Sequence, residues 1–282
     1  MDRPLISPWI CDVAPSFQWL CIWLALRLSA AYIGRNRYRE RAMTNPTAAM
    51  LVIGDEILSG RTRDSNLHYL AGELTRHGIN LTEARVVADD QAAIVSAVNA
   101  LRGQYDHLFT SGGIGPTHDD ITADAIAVAF GVAITHRADA VALLGAHYER
   151  QNLPFNDARM RMARIPDGAV LIENPVSIAP GFSMGNVHVM AGVPRIFEAM
   201  VASVLPNLTG GAPLLSQTLR MMRGEGEIAG PFGALAAEYP DLSMGSYPFT
   251  LNGAYGTNLV IRGTDAARID AAMTQLAALF PA

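Results

Sequence analysis

Apolar and polar positions alternate in blocks from Thr47 onward. Ala48-Ala-Met-Leu-Val-Ile is a short continuous apolar run that predicts a buried strand, ending at Gly54-Asp55-Glu56. Leu67, Leu70, Ala71 and Leu74 recur at helical spacing behind Asp64, a capping residue, and Gly78 can close that helix. Leu81 to Ala88 predicts a second strand. Asp89 or Asp90 can cap the next helix, whose stripe is Ile94, Val95, Val98 and Leu101. A third strand at 105–110 leads into a glycine-rich turn and a helix to Phe130. Strands alternating with helices imply parallel pairing, right-handed crossovers and a sheet covered on both faces.

Helix-like segments follow at Ala138–Gln151 and Phe155–Ala163, then an apolar Val170-Leu-Ile. Gly181–Ala191 predicts a hairpin turning at Gly185-Asn186, and Pro194 opens a helix to about Leu205. Asn207-Leu-Thr-Gly-Gly-Ala-Pro punctuates like a linker. Beyond it the order is strand (Leu215–Arg223), helix (Ile228–Tyr239), strand (Leu242–Phe249), strand (Thr257–Arg262) and helix (Ala266–Phe280). The expected architecture is a three-layer α/β domain with a mostly parallel sheet over 43–210. A small β-α-β-β-α domain over 211–282 completes it.

Composition changes the picture at the N-terminus. Residues 1–42 hold every tryptophan (Trp9, Trp19, Trp23) and both cysteines (Cys11, Cys21). Six arginines there face Asp2, Asp12 and Glu40, a net of +3, so the remainder carries −5 − 3 = −8. The apolar run Trp19–Leu26 is too short to span a bilayer, and its arginines follow it instead of preceding it as in a signal peptide. The expectation is that Met43 is the natural start and that 1–42 stand outside the fold. A cysteine-free body fits the cytosol and excludes disulfide frameworks and thiolate metal sites. All 21 basic residues are arginine, which excludes a lysine Schiff base and a P-loop lysine.

The chemistry concentrates in Thr110-Ser-Gly-Gly-Ile-Gly-Pro-Thr-His-Asp-Asp-Ile-Thr122. A glycine-rich turn from strand end to helix start leaves backbone N–H groups free. Gly112, Gly113 and Gly115 let that backbone approach a ligand, and the helix adds the positive end of its dipole. Ser111 and Thr117 can donate to phosphate oxygens or brace the turn. Asp119 and Asp120 can cap the helix, each worth ~0.5–1 kcal/mol. Beside a phosphate cradle, however, bare carboxylates would repel the ligand, and a divalent cation between them resolves the conflict. Asp55 and Glu56 are ordinary turn acids or, if their strand neighbours the third, a metal ligand and the base that activates water. His118, Arg61 and Arg63 read as solvated loop residues by default. Competing signatures are missing, namely Gly-x4-Gly-Lys, the three-glycine dinucleotide fingerprint and His-x3-His.

These motifs resemble the molybdenum-cofactor-biosynthesis, molybdopterin-binding domain, and within it the competence/damage-inducible protein A group. The carriers are Gly54-Asp-Glu-Ile-Leu-Ser-Gly, Asp64-Ser-Asn66, the 110–122 stretch, Asn174-Pro-Val-Ser-Ile-Ala-Pro-Gly-Phe and Ala191-Gly-Val-Pro. The resemblance implies a cleft for a phosphate-bearing pterin or nucleotide, with Asp55, Asn66, Ser111, Gly112, Gly113, Gly115, Pro116, Thr117 and Thr122 around the ligand. It implies Glu56, Asp119 and Asp120 as catalytic and metal-holding acids. Asp55 departs from the threonine many relatives carry. Relatives either adenylate molybdopterin or act as metal-dependent pyrophosphatases on ADP-ribose-like diphosphates, and homo-oligomers are usual among them.

The expected function is therefore a cytoplasmic hydrolase of an ADP-ribose- or FAD-type diphosphate, using Mg²⁺, Mn²⁺ or Co²⁺. The alternative is a molybdopterin-binding protein without catalysis, or a molybdopterin-adenylylating relative. The tail resembles the small domain that follows this module, also found in some FAD synthases, and the deamidating activity of the amidohydrolase domain in longer relatives is not expected here. Acids outnumber the tail's four arginines, which argues against nucleic acid as a partner.

Overall fold

The computed structural model describes residues 45–281. The expectation for residues 1–42 lies outside the described residues. Nine α-helices and eleven strands follow in the described chain.

The first three strands are β1 (Thr47–Ile53), β2 (Asn80–Val87) and β3 (His107–Ser111). Later come β6 (Val170–Ile172), β7 (Gly181–Met184) and β8 (Val187–Met190). They form one six-stranded sheet in the order β2-β1-β3-β8-β7-β6. The β2, β1, β3 and β8 pairings are parallel, while β7 and β6 turn antiparallel. The hairpin between β7 and β8 turns at Gly185, whose φ of 58° is the left-handed value a two-residue connection demands.

Apolar alternation along β1 divides the core. Ala49, Leu51 and Ile53 face one layer with helices α3 (Gln91–Gln104), α4 (Thr122–Phe130) and α5 (Ala138–Arg150). Ala48, Met50 and Val52 face the other, under α2 (Asn66–Arg76) and α7 (Pro194–Val204). Six of the seven β1 residues are buried, which is why the strand reads as a continuous apolar run. Two one-turn helices, α1 (Asp55–Leu58) and α6 (Asp157–Met160), complete this part.

Two local expectations change. The segment expected as one helix from Phe155 to Ala163 is α6 followed by a 3-10 turn, Arg161–Ala163. Asn156 starts it by accepting from the Arg159 amide at 3.1 Å. The three-residue strands β4 (Ile134–His136) and β5 (Arg164–Pro166), paired antiparallel, were too short to leave a period in the sequence.

The tail runs β9 (Leu215–Met221), α8 (Glu225–Glu238), β10 (Ser243–Leu251), β11 (Ala254–Gly263) and α9 (Ala266–Leu279). Its sheet has the order β10-β11-β9, all antiparallel. Ile228, Phe232, Leu235, Leu259, Ile261, Ile269 and Leu276 form a separate core between that sheet and its two helices. None of the described helices is long and apolar enough to cross a membrane.

Candidate active site

β1 and β3 are direct parallel neighbours, with Val52 opposite Ser111. The turn after β1 and the glycine loop after β3 therefore leave the sheet side by side, at the carboxyl ends where α/β sheets bind ligands. The backbones there meet with no room for side chains. A Cβ on Gly112 would stand 2.1 Å from the Ile53 carbonyl oxygen, and Gly112 has φ 111°. A Cβ on Gly192, just past β8, would reach the Gly112 Cα at 3.3 Å. The Gly112 amide donates to Met190 O at 3.1 Å, locking the loop to β8.

Asn66, the first residue of α2, is buried against this junction. Its side-chain nitrogen donates to Ser111 Oγ at 2.8 Å and to the Gly192 carbonyl at 2.7 Å. Because a carbonyl only accepts, the amide orientation is fixed, and Asn66 Oδ1 is left buried with no partner. Such an orphan costs about 1–3 kcal/mol unless a water, a cation or a ligand donor reaches it.

Beyond Gly112 the loop is braced from within. Thr122 is fully buried, and its hydroxyl donates to Gly112 O at 2.9 Å while its amide donates to Gly113 O at 2.9 Å. It shapes the loop and is closed to a ligand. Asp120 accepts from the Thr117 amide at 2.8 Å and hydroxyl at 2.5 Å, and lies where a Cβ on Gly115 would fall, 2.7 Å from its Oδ2. Asp120 and Thr117 thus hold each other. The amides of Gly113, Ile114 and Gly115 make no hydrogen bond among the described residues, which is the pattern of an anion cradle. Pro116 stands exposed at the tip, and so does Asp119, with a side chain 64% accessible.

The start of α4 is less available than the dipole argument supposes. Gly113, Ile114, Gly115, Ala123, Asp124 and Arg161 enclose a cavity of about 20 Å³ there, room for one water. Arg161 closes it by donating to Asp120 O at 3.0 Å, and Arg164 grips Asp124 with both guanidinium nitrogens. Pro116 and His118 also border an open groove of about 480 Å³ with His136, Met160, Arg161 and Arg164, large enough for a nucleoside-sized ligand.

After β1, Asp55 and Glu56 open α1 with exposed side chains. The Glu56 carboxylate bends back over Gly54, where a Cβ would meet its Oε2 at 2.5 Å. Another acid joins them from just past the end of β2. Asp89 Oδ2 accepts from the Asp55 amide at 2.9 Å. Burial pushes the Asp89 carboxyl up, and the charges of Asp55, Glu56 and Asp119 push it further, against the bond from the Asp55 amide. By sequence position Asp89 reads only as a helix cap, a task that Asp90 performs by accepting from the Ala93 amide at 2.8 Å. Its signal was position: Asp89 follows a strand just as Asp55 and Asp119 do.

None of Asp55, Glu56 and Asp89 forms an ion pair among the described residues. Nor do any three His, Cys, Asp or Glu side chains among the described residues stand close enough to hold a metal ion. A cage built from protein alone does not fit these residues. A Mg²⁺-like ion held by one or two carboxylates and by the phosphate oxygens of a ligand does.

Known proteins place this geometry. Residues 49–210 match the family described as probable molybdopterin binding domain, and residues 213–282 match the FAD synthase middle domain. A protein of Pyrobaculum calidifontis is 32% identical over 213 residues, 72% of this chain and 81% of its own. A probable FAD synthase of Caenorhabditis elegans is 31% identical over 262 residues, covering 82% of this chain but 49% of the relative. A protein of Metallosphaera sedula is 34% identical over 172 residues, 59% of this chain and 65% of the relative. The chain thus spans about half to two thirds of the length of these last two relatives. The crystal structure of CinA from Thermoplasma acidophilum, a protein of unknown function, matches with a TM-score of 0.53 at 32% identity, over 57% of this chain and 97% of that one. The chain belongs to the molybdopterin-binding-domain family, as a CinA-like member that continues into an FAD synthase middle domain.

Proposed function

We propose that the protein is a metal-dependent pyrophosphatase acting on a nucleotide diphosphate linkage of the ADP-ribose or FAD type. The observation that carries this reading is the convergence of carboxylates from three adjacent strand ends on the glycine loop. Burial raises the Asp89 carboxyl and the charges of Asp55, Glu56 and Asp119 add to it, and a phosphate brought beside them would add to the repulsion. Asp119 and Glu56 would hold a divalent cation, which would supply the missing positive charge and polarise the phosphoryl oxygens. Asp120, tied to Thr117, shapes the loop.

The amides of Gly113, Ile114 and Gly115 hold the diphosphate and are already oriented before it arrives. Asn66 Oδ1 accepts a hydrogen bond from the ligand or its water shell. A water attacks one phosphorus and the bridging P–O bond breaks. The water's proton passes to a carboxylate of the Asp55–Glu56 pair, and the two phosphate products leave.

Turnover of ADP-ribose, FAD and NAD by the full chain with Mg²⁺, Mn²⁺ or Co²⁺ tests the proposal. The expected result is hydrolysis of at least one, lost in a Glu56→Gln/Asp119→Asn variant. No hydrolysis of any, or full activity in that variant, overturns it. The absence of a ready-made metal cage among the described residues favours a second reading, a molybdopterin-binding protein without catalysis. Titration calorimetry separates the two, since the second requires tight pterin binding that chelation leaves unchanged.

A further inference from the structure

The tail's two helices cover one face of its three-stranded sheet, and among the described residues the other face carries no helix. Met244, Leu259 and Ile261 point to the helices, so the alternate positions on each strand point out. On that outer face two aromatic side chains lie over glycines. A Cβ on Gly256 would stand 2.4 Å from the Phe249 ring, and one on Gly245 would stand 3.1 Å from the Tyr247 hydroxyl. An arginine accompanies each ring. The Arg220 guanidinium sits 4.1 Å from the Phe249 centroid, reaching across from β9, and Arg262 sits 5.8 Å from that of Tyr247.

The charge of this face is one-signed. The segments of β9, β10 and β11 contain no aspartate or glutamate at all. The tail's acids lie elsewhere. Glu225, Glu227, Glu238 and Asp270 are on the helices, and Asp241 and Asp265 precede β10 and α9. Asp241 is already paired with Arg268, and Asp270 accepts from Gln217 on the helix side. The negative total that argued against nucleic acid thus belongs to the helical layer, and the open sheet is positive.

We infer that this sheet face docks single-stranded RNA. Flat rings and guanidinium planes are stacking partners for unpaired bases, cationic side chains meet the phosphodiester backbone, and open antiparallel sheets with surface aromatics are suited to splayed bases. The neighbouring Ser216, Thr218 and Asn258 side chains offer hydrogen-bond partners to 2′-hydroxyls. A second copy of the chain is a poor occupant, because a two-fold contact would bring Arg220 and Arg262 against their own like charges. The face is separate from the strand-end site, so the inference stands or falls independently of the proposed hydrolysis.

Fluorescence anisotropy of a labelled 12-nucleotide mixed-sequence RNA, titrated with the full chain, tests it. The expected result is saturable binding at low salt. An Arg220→Gln/Arg262→Gln variant should bind at least about tenfold more weakly, with a log–log salt slope smaller by about 1.4, since each lost contact on a single strand removes about 0.7. Tyr247→Ser, an exposed change, should weaken binding while the circular dichroism spectrum stays unchanged. No saturable binding up to 100 µM, or equal affinity in the double arginine variant, overturns the inference. Equal competition by DNA of the same sequence overturns the assignment to RNA. Sedimentation that shows the wild type as an oligomer and the double variant as a monomer overturns it in favour of a contact between copies.

Discussion

The six-stranded sheet has helices on both faces, while the three-stranded sheet of the tail has them on one. In the first, side chains from both faces of β1, β3 and β8 are spent on two apolar layers, so chemistry is left to the strand ends, where backbones crowd and polar groups are fixed. In the second, one face carries no helix among the described residues, and its aromatic and cationic side chains point outward from regular strands. A site built at strand ends is small, rigid and intolerant of added atoms. A face left uncovered is broad, tolerant and decided by charge. Each prediction below presses on that difference.

Activity should separate the two regions most sharply. If the strand-end acids act as proposed, Glu56→Gln/Asp119→Asn should lower kcat/KM by about a thousandfold, an order typical of removing electrostatic stabilisation at a phosphoryl centre. Asp265→Ala in the tail should leave kcat/KM of the folded protein unchanged. A tail variant that removes turnover while its fold is intact would break the comparison.

Glycine substitutions should have opposite signs in the two regions. Gly112→Ala places a Cβ 2.1 Å from Ile53 O at φ 111°, so β1 and the loop must part, at a cost of about 3 kcal/mol or more. Gly233 lies inside α8 with nothing within 4 Å of an added Cβ. Gly233→Ala should stabilise by about 0.5–1 kcal/mol through helix propensity. Denaturant midpoints with unchanged m-values check both.

How much of this was legible in the sequence follows the same division. The covered sheet was readable because glycine and capping residues punctuate apolar runs, and the adjacency of Gly54–Glu56 and the 110–122 loop needed only that β1 and β3 pair. The division of labour between Asp119 and Asp120 was not readable, since it depends on which carboxylate the Thr117 turn captures. Asp89 was hidden by a sufficient local explanation as a cap. The three-residue β4 and β5 gave no period. The tail's open face was hidden by a sum: total charge cannot show that every acid lies off the strands, and only the register puts Arg220 and Arg262 on one side.

Acid should strain the covered sheet. His188 on β8 is buried, with Ser183 Oγ 2.9 Å from its Nδ1 and His107 3.5 Å from its Nε2. Burial lowers its pKa to about 4, and the neighbouring His107 adds to this. A folded value below the unfolded one means the unfolded chain binds the extra proton. The cost is therefore absent above about pH 6.5 and grows as pH falls toward 4. Between pH 7 and pH 5 the loss should be about 2 kcal/mol, and His188→Gln should flatten it. The tail's three strands carry no histidine or carboxylate, so their signals should follow only the common transition.

The smallest expected effect asks whether the two regions melt together. Asp90 caps α3 by accepting from the Ala93 amide at 2.8 Å, and Asp265 caps α9 by accepting from the Ala267 and Arg268 amides at 2.9 and 3.3 Å. Replacing either with alanine should cost about 1 kcal/mol. If the folded unit is one cooperative body, both variants shift a single calorimetric transition by the same small amount. If the smaller core of the tail stands alone, Asp265→Ala lowers a separate early transition and Asp90→Ala does not. The second outcome would mean that the open face sits on a module that can loosen while the strand-end site stays intact.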